Sequence, residues 1–228
     1  VDNEARVRLE VALAAKRAAA SLLDRLESEK AVSISQDAQR AGEAALAIAC
    51  DANLKLQAAA EIASCALLEA LATSKVGKGA ERAFDRAVAV AATPRGAACA
   101  RLQRGRFLGS LASTQKRREM RVRDLATAAS GLRASDPQVA AAAARELAAF
   151  VDAPGDLLLA VRALALTDND GALLTATAKR LLACTRHGAD ENAAAARAAC
   201  KACYGAALRG DAAGAAAALE PLFSRGGV

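Results

Sequence analysis

Thr93–Arg123 reads TPRGAACARLQRGRFLGSLASTQKRREMRVR, and the texture of the chain differs on either side of it. Between Arg101 and Arg123 eight cations (Arg101, Arg104, Arg106, Lys116, Arg117, Arg118, Arg121 and Arg123) stand against one acid, Glu119, a local balance of +7. The whole chain of 228 residues carries +6, so its two flanks together are nearly neutral. Thr93 before Pro94 has the form of an N-cap followed by proline at the first helical position, where a missing N–H costs nothing. The stretch therefore predicts a basic helix, weakened at Gly105 and Gly109, that links two alanine-rich halves.

Outside this band the composition points one way. Hydrophobic residues make up 54% but aromatics only 2%, so alanine supplies much of the apolar content, and its high helix propensity and short side chain predict closely approaching helices. Four prolines and few β-branched runs leave no credible strand. The expected class is all-α: a long-helix bundle followed by short antiparallel helices, in a bundle or an irregular α-solenoid. The expected divisions are 1–92, 93–123 and 124–228, which a single continuous domain could also contain.

In the first part, Val7, Val11, Ala14, Ala18, Leu22 and Leu26 recur at helical spacing, with Leu9 and Leu13 beside them and Glu10, Arg17 and Asp24 on the wet side. This predicts a helix from Asp2 to about Lys30 whose stripe faces the core. Ser33 and Gln36 fit a capping box opening a second helix to about Ser74, which would reach ~60 Å at 1.5 Å per residue. Its expected buried residues are Leu46, Ala49, Ile62, Leu67 and Leu71. Lys75 to Gly79 breaks the pattern, and a short helix with Phe84, Ala87, Val88 and Ala91 inward follows.

Past Asp124 the punctuation is denser. Ser135-Asp136-Pro137, Asp156, Asp170, Asp190 and Asp211 mark helix starts, while Gly188 and Gly210 mark stops. Pro221 disturbs the last helix.

RVRDLATAASGLRASDPQVAAAAARELAAF, residues 121–150, resembles an armadillo or HEAT repeat, with helices flanking an Asp-Pro turn and small apolar residues spaced along the second. The run from Gly171 to Cys203 is similar, and Gly171 recurs as Gly214 at 43 residues, close to an armadillo period. The resemblance covers residues 121–228 and implies an α-solenoid offering a surface to protein partners. ACYGAALRGDAAGAAAALEPL, residues 202–222, is similar in texture to the last helices of the Q-type extrinsic subunit of photosystem II. That likeness implies a basic helical bundle held on a photosynthetic membrane complex.

Several constellations invite a chemical reading. Cys184-x2-His187 with Cys200-x2-Cys203 has the donors of a tetrahedral zinc site, but a hairpin turning at Gly188–Asp190 would offset the two pairs by ~12 Å or more. Cys200 and Cys203 should lie mid-helix, away from the helix N-terminus that activates a redox pair. The six cysteines, each near alanine or another small residue, read as small core hydrophobes in a reducing compartment. His187, the single histidine, reads as a partner of a helix C-terminus. Ser113-x-x-Lys116 lacks the companion motifs of penicillin-recognising enzymes, and Gly77-Lys78-Gly79 lacks the spacing of a phosphate loop. Asp168 and Asp170 read as turn and cap residues. No catalytic, metal or cofactor residue is expected.

What remains is the band, either a solvated face or a contact for RNA phosphates, anionic lipid headgroups or an acidic protein surface. Base stacking is disfavoured because Phe107 is its sole aromatic. Charged residues interrupt each apolar run short of membrane-crossing length, which predicts a soluble or peripheral protein. The opening at Val1 fits removal of an organellar targeting segment. The expected role is a non-enzymatic scaffold or accessory subunit of a larger assembly, docking through the eight cations and long helix faces. Its alternatives are an extrinsic subunit of a photosynthetic membrane complex and an RNA-contacting protein of an organellar ribosome or ribonucleoprotein.

Overall fold

The computed structural model describes residues 1–73, 78–111, 114–167, 170–185 and 191–224, and it is all-α. Eleven helices are formed among the described residues, with no strand. The chain divides into two compact units, Val1–Thr114 and Gln115–Val228, each with its own core. The division falls inside the basic band.

In the first unit, α1 (Asp2–Asp24), α2 (Ser28–Ile48) and α3 (Ala52–Thr73) pack on one another as a three-helix bundle. The short α4 (Lys78–Ala89) lies on α3, and α5 (Pro94–Gly109) lies on α4 and α3. Small residues set the spacing. Gly42 of α2 faces Ile62 of α3 so closely that a Cβ there would sit 2.8 Å from Ile62 Cγ1. Leu9, Ala45, Leu46, Leu54, Ala58 and Ile62 form the heart of the core. Phe84 and Phe107 stack between α4 and α5 with ring centroids 4.6 Å apart. Thr93 caps α5, its hydroxyl accepting from Gly96 N at 3.1 Å.

Four expectations about this half are corrected. The second helix is two: the chain turns at Ala49–Asp51, with Ala49 extended and Asp51 Oδ1 accepting from Leu54 N at 2.8 Å as a new cap. α2 also begins at Ser28, upstream of the Ser33 box, because α1 has already ended at Asp24. Most consequential is the stripe on α1: Val7, Val11, Ala14 and Ala18 face solvent, while Ala5, Leu9, Ala12 and Ala19 are buried. The smaller face lets α2 and α3 come nearer, so the bundle selects it over the bulkier stripe. Leu71, expected inside, is also exposed.

By length and composition α3 could cross a membrane, with a mean hydropathy of 1.3 over 18 residues. This corrects the reading that charges interrupt every such run. Within the unit, α3 touches α1, α2, α4 and α5, and its Glu61 is ion-paired with Lys16 of α1.

In the second unit, α6 (Gln115–Leu132), α7 (Pro137–Phe150), α8 (Pro154–Thr167), α9 (Gly171–Cys184), α10 (Glu191–Leu208) and α11 (Ala212–Ser224) each pack on the next. α6 also lies beside α8, and α11 returns onto α8, folding the array back on itself. α8 starts at Pro154, two residues before the expected Asp156. Asp170 and Asp211 cap their helices, accepting from Leu173 N at 3.0 Å and Gly214 N at 2.8 Å. Leu125, Leu132, Leu147, Leu157, Leu164 and Leu219 are fully enclosed. Arg180 of α9 closes the end of α7 by donating to Ala148 O at 3.0 Å, to Val151 O and to Asp152 Oδ1 at 2.7 Å. That guanidinium meets the negative end of the helix dipole where carbonyls have no helical partner.

Candidate docking surface

The band is two helices in two units rather than one, because the helix begun at Pro94 stops at Gly109 and a second starts at Gln115. Arg101, Arg104 and Arg106 belong to α5. Arg104 is folded against its own unit: its side chain is 13% exposed and its Nη1 donates to Asp85 at 2.7 Å. Arg101 is half-buried and Arg106 exposed.

The other five cations belong to α6. Lys116 and Arg123 are exposed, Arg117 and Arg118 half-buried. Arg118 lies 3.9 Å from Asp152, a carboxylate already held by Arg180. Arg121 lies over the ring of Phe150 with its guanidinium carbon 4.0 Å from the centroid. Burial lowers its pKa, against the opposing pull of Glu146. The eight residues are therefore not one surface: Arg104, Arg118 and Arg121 serve internal contacts.

The start of α6 keeps an electrostatic tension. Its first turn holds Lys116, Arg117 and Arg118 and no acid, although the positive end of a helix dipole favours anions there. Cations stacked on that end raise the local positive potential; Asp152, 3.9 Å from Arg118, and the nearby Asp156 offset part of it.

Beside this end, a groove of about 640 Å³ runs between α6 and α8, with Phe223 of α11 as one wall. Val122, Ala126, Leu159 and Ala163 lie along it, and Glu119, Asp156, Arg123 and Arg162 mark its charged positions. Thr127, Ser130 and Thr167 also line it, but their hydroxyls donate back to Arg123 O, Ala126 O and Ala163 O of their own helices. The groove is thus more apolar than its residue names suggest. Burial and the nearby Glu119 raise the Asp156 pKa, with Arg118 opposing. Arg162 lies over Phe223 at 4.2 Å and meets Glu220 at 3.1 Å. Sequence reading missed the groove because residues far apart in the chain build it; only the Arg-rich start of α6 gave a local signal.

The cysteines lie partly where expected. Cys65, Cys200 and Cys203 are buried, and burial pushes their thiols up to about 11, 11 and 12. Cys50 and Cys184 are exposed, and Cys99 is intermediate. The expected axial offset of Cys184 from Cys200 is corrected: Thr175 Oγ1 donates to Ala207 O at 3.1 Å, a register that sets Cys200 beside Thr185 at the end of α9. His187, Gly188, Asp190, Ser113, Gly77 and Asp168 lie outside the described residues. Among the described residues, no three His, Cys, Asp or Glu side chains converge as metal ligands.

Fold and surface together define an all-α protein of two helical units. Comparison with protein families, curated proteins and solved structures finds no match for this chain.

Proposed function

We propose that the protein is a non-catalytic helical scaffold or accessory subunit that docks onto an acidic surface of a partner protein through the exposed face of α6. The observation that carries this reading is the first turn of α6, where cations crowd the positive end of the helix without an acid among them. Lys116 and Arg123 are exposed, with the exposed Glu119 between them on the same helix, and the apolar groove beside Arg123 offers a seat for a partner's side chains. A protein surface suits this pairing of charge with apolar groove better than a nucleic-acid backbone, which takes charge alone.

The test is capture from the native source with the wild-type chain and with Lys116→Glu/Arg123→Glu, each before and after nuclease treatment. The reading expects a defined protein partner that survives nuclease and is lost with the double variant. Capture abolished by nuclease would make the partner RNA and overturn it. Capture unaffected by the double variant would remove α6 from the contact.

A further inference from the structure

The apolar stripe on α1 lies outside the bundle. Val7 is 64% exposed and Val11 55%, with Ala14 and Ala18 continuing the row and Leu22 half-buried at its end. The steps from Val7 to Val11, Ala14 and Ala18 are four, three and four residues, the seam spacing of two helices packed side by side. Leu26, just past the helix, is 88% exposed and holds φ at +62°. The closing bonds of the helix hold its backbone, Leu26 N donating to Leu23 O and Glu27 N to Leu22 O, each at 2.9 Å, while its apolar side chain stays at the surface.

The charges beside the stripe say what covers it. At 100° per residue, Arg6, Glu10, Arg17 and Asp24 fall on one flank of the stripe, and all four are exposed. Their signs alternate along the helix. When two such helices pair antiparallel about a two-fold axis, each flank meets the same flank of its partner. Arg6 then faces the partner's Asp24 and Glu10 faces the partner's Arg17, with the register of the pairs matching to within about 2 Å each at 1.5 Å per residue. In the same arrangement Val7 meets the partner's Leu22, Val11 meets the partner's Ala18, and Ala14 lies near the two-fold axis. A parallel pairing sets this flank against the opposite one and matches none of these charges.

We infer that the exposed face of α1 is a self-association surface, on which a second copy of this chain docks its own α1 antiparallel. Small residues at the centre permit close approach, and the alternating charges fix the direction. The contact is independent of the docking proposed for α6.

Sedimentation velocity of the full chain across a range of concentrations tests it, with helical circular dichroism as the control for folding. The wild type is expected to dimerise. Val11→Glu buries a carboxylate against the partner's apolar row and should weaken association on the order of tenfold or more while leaving the helical signal unchanged. Glu10→Arg and Arg17→Glu should each weaken the dimer, and the two together should restore it by exchanging the partners of one pair. A wild type that stays monomeric at the highest concentration would overturn the inference. So would a dimer indifferent to Val11→Glu, or a double charge exchange that fails to restore association.

Discussion

Leu26 and Gly210 do the same job with different residues. Each follows a helix with a positive φ, +62° and +73°, and each lies within the paired closing bonds of a left-handed C-cap. Glu27 N reaches Leu22 O at 2.9 Å after α1, and Asp211 N reaches Ala206 O at 3.0 Å after α10. Glycine takes this conformation freely; a leucine crowds its Cβ against the backbone. Leu26→Gly should raise thermal stability by about 0.5–1 kcal/mol, the strain relieved less the extra flexibility of the unfolded chain. A thermal melt checks it, and the same substitution removes a side chain from the α1 surface. Gly42 is the opposite case, where the neighbour rather than the backbone forbids a side chain. Gly42→Ala should cost about 1–3 kcal/mol, because Ile62 must leave its place for the methyl group to fit. Chemical denaturation would read that loss as a lower midpoint with an unchanged slope.

The helices themselves were largely legible in the sequence, since Asp136-Pro137, Asp170, Asp211 and Thr93-Pro94 are local instructions that need no tertiary help. The turn at Ala49–Asp51 was not, because no glycine or proline marks it and the apolar rhythm runs on through alanine. Only Asp51 signals it, and an aspartate mid-pattern is ambiguous until its side chain is seen accepting from Leu54 N. The same corner is tied to α1 by Asp2, whose Oδ1 accepts from Cys50 N at 2.8 Å and from Asp51 N at 3.4 Å. The Cys50 bond is the main cause that lowers the Asp2 pKa below its ordinary value. A carboxylate lowered in this way adds stability above its unfolded pKa and loses it as the pH falls through the folded one. Asp2→Asn should therefore lower the melting temperature at neutral pH and converge on the wild type in acid. A destabilisation that stays equally large in strong acid, once the folded-state carboxyl of Asp2 is protonated, would contradict that assignment.

For the molecule as a whole, the sequence carried the class and the strength of its charge, but not which faces would be spent. Alternating small and larger apolar residues give α1 two candidate faces, and periodicity alone does not rank them. Packing ranks them by the approach each allows, so the alanine face goes inward and the valines remain outside. The eight cations pose the same problem: as letters they form one band, yet Arg104 and Arg121 are turned to Asp85 and Phe150 within their own units. The groove between α6 and α8 had no sequence signature, because its walls come from α6, α8 and α11.

The proposed docking stands on α6 as the face that meets an acidic partner. Its most direct test is the affinity of the purified pair as a function of ionic strength, for the wild type and for Lys116→Glu/Arg123→Glu. Binding that weakens steeply with added salt, and that falls on the order of tenfold or more in the double variant, is the predicted result. An affinity that ignores both salt and the two substitutions would contradict it.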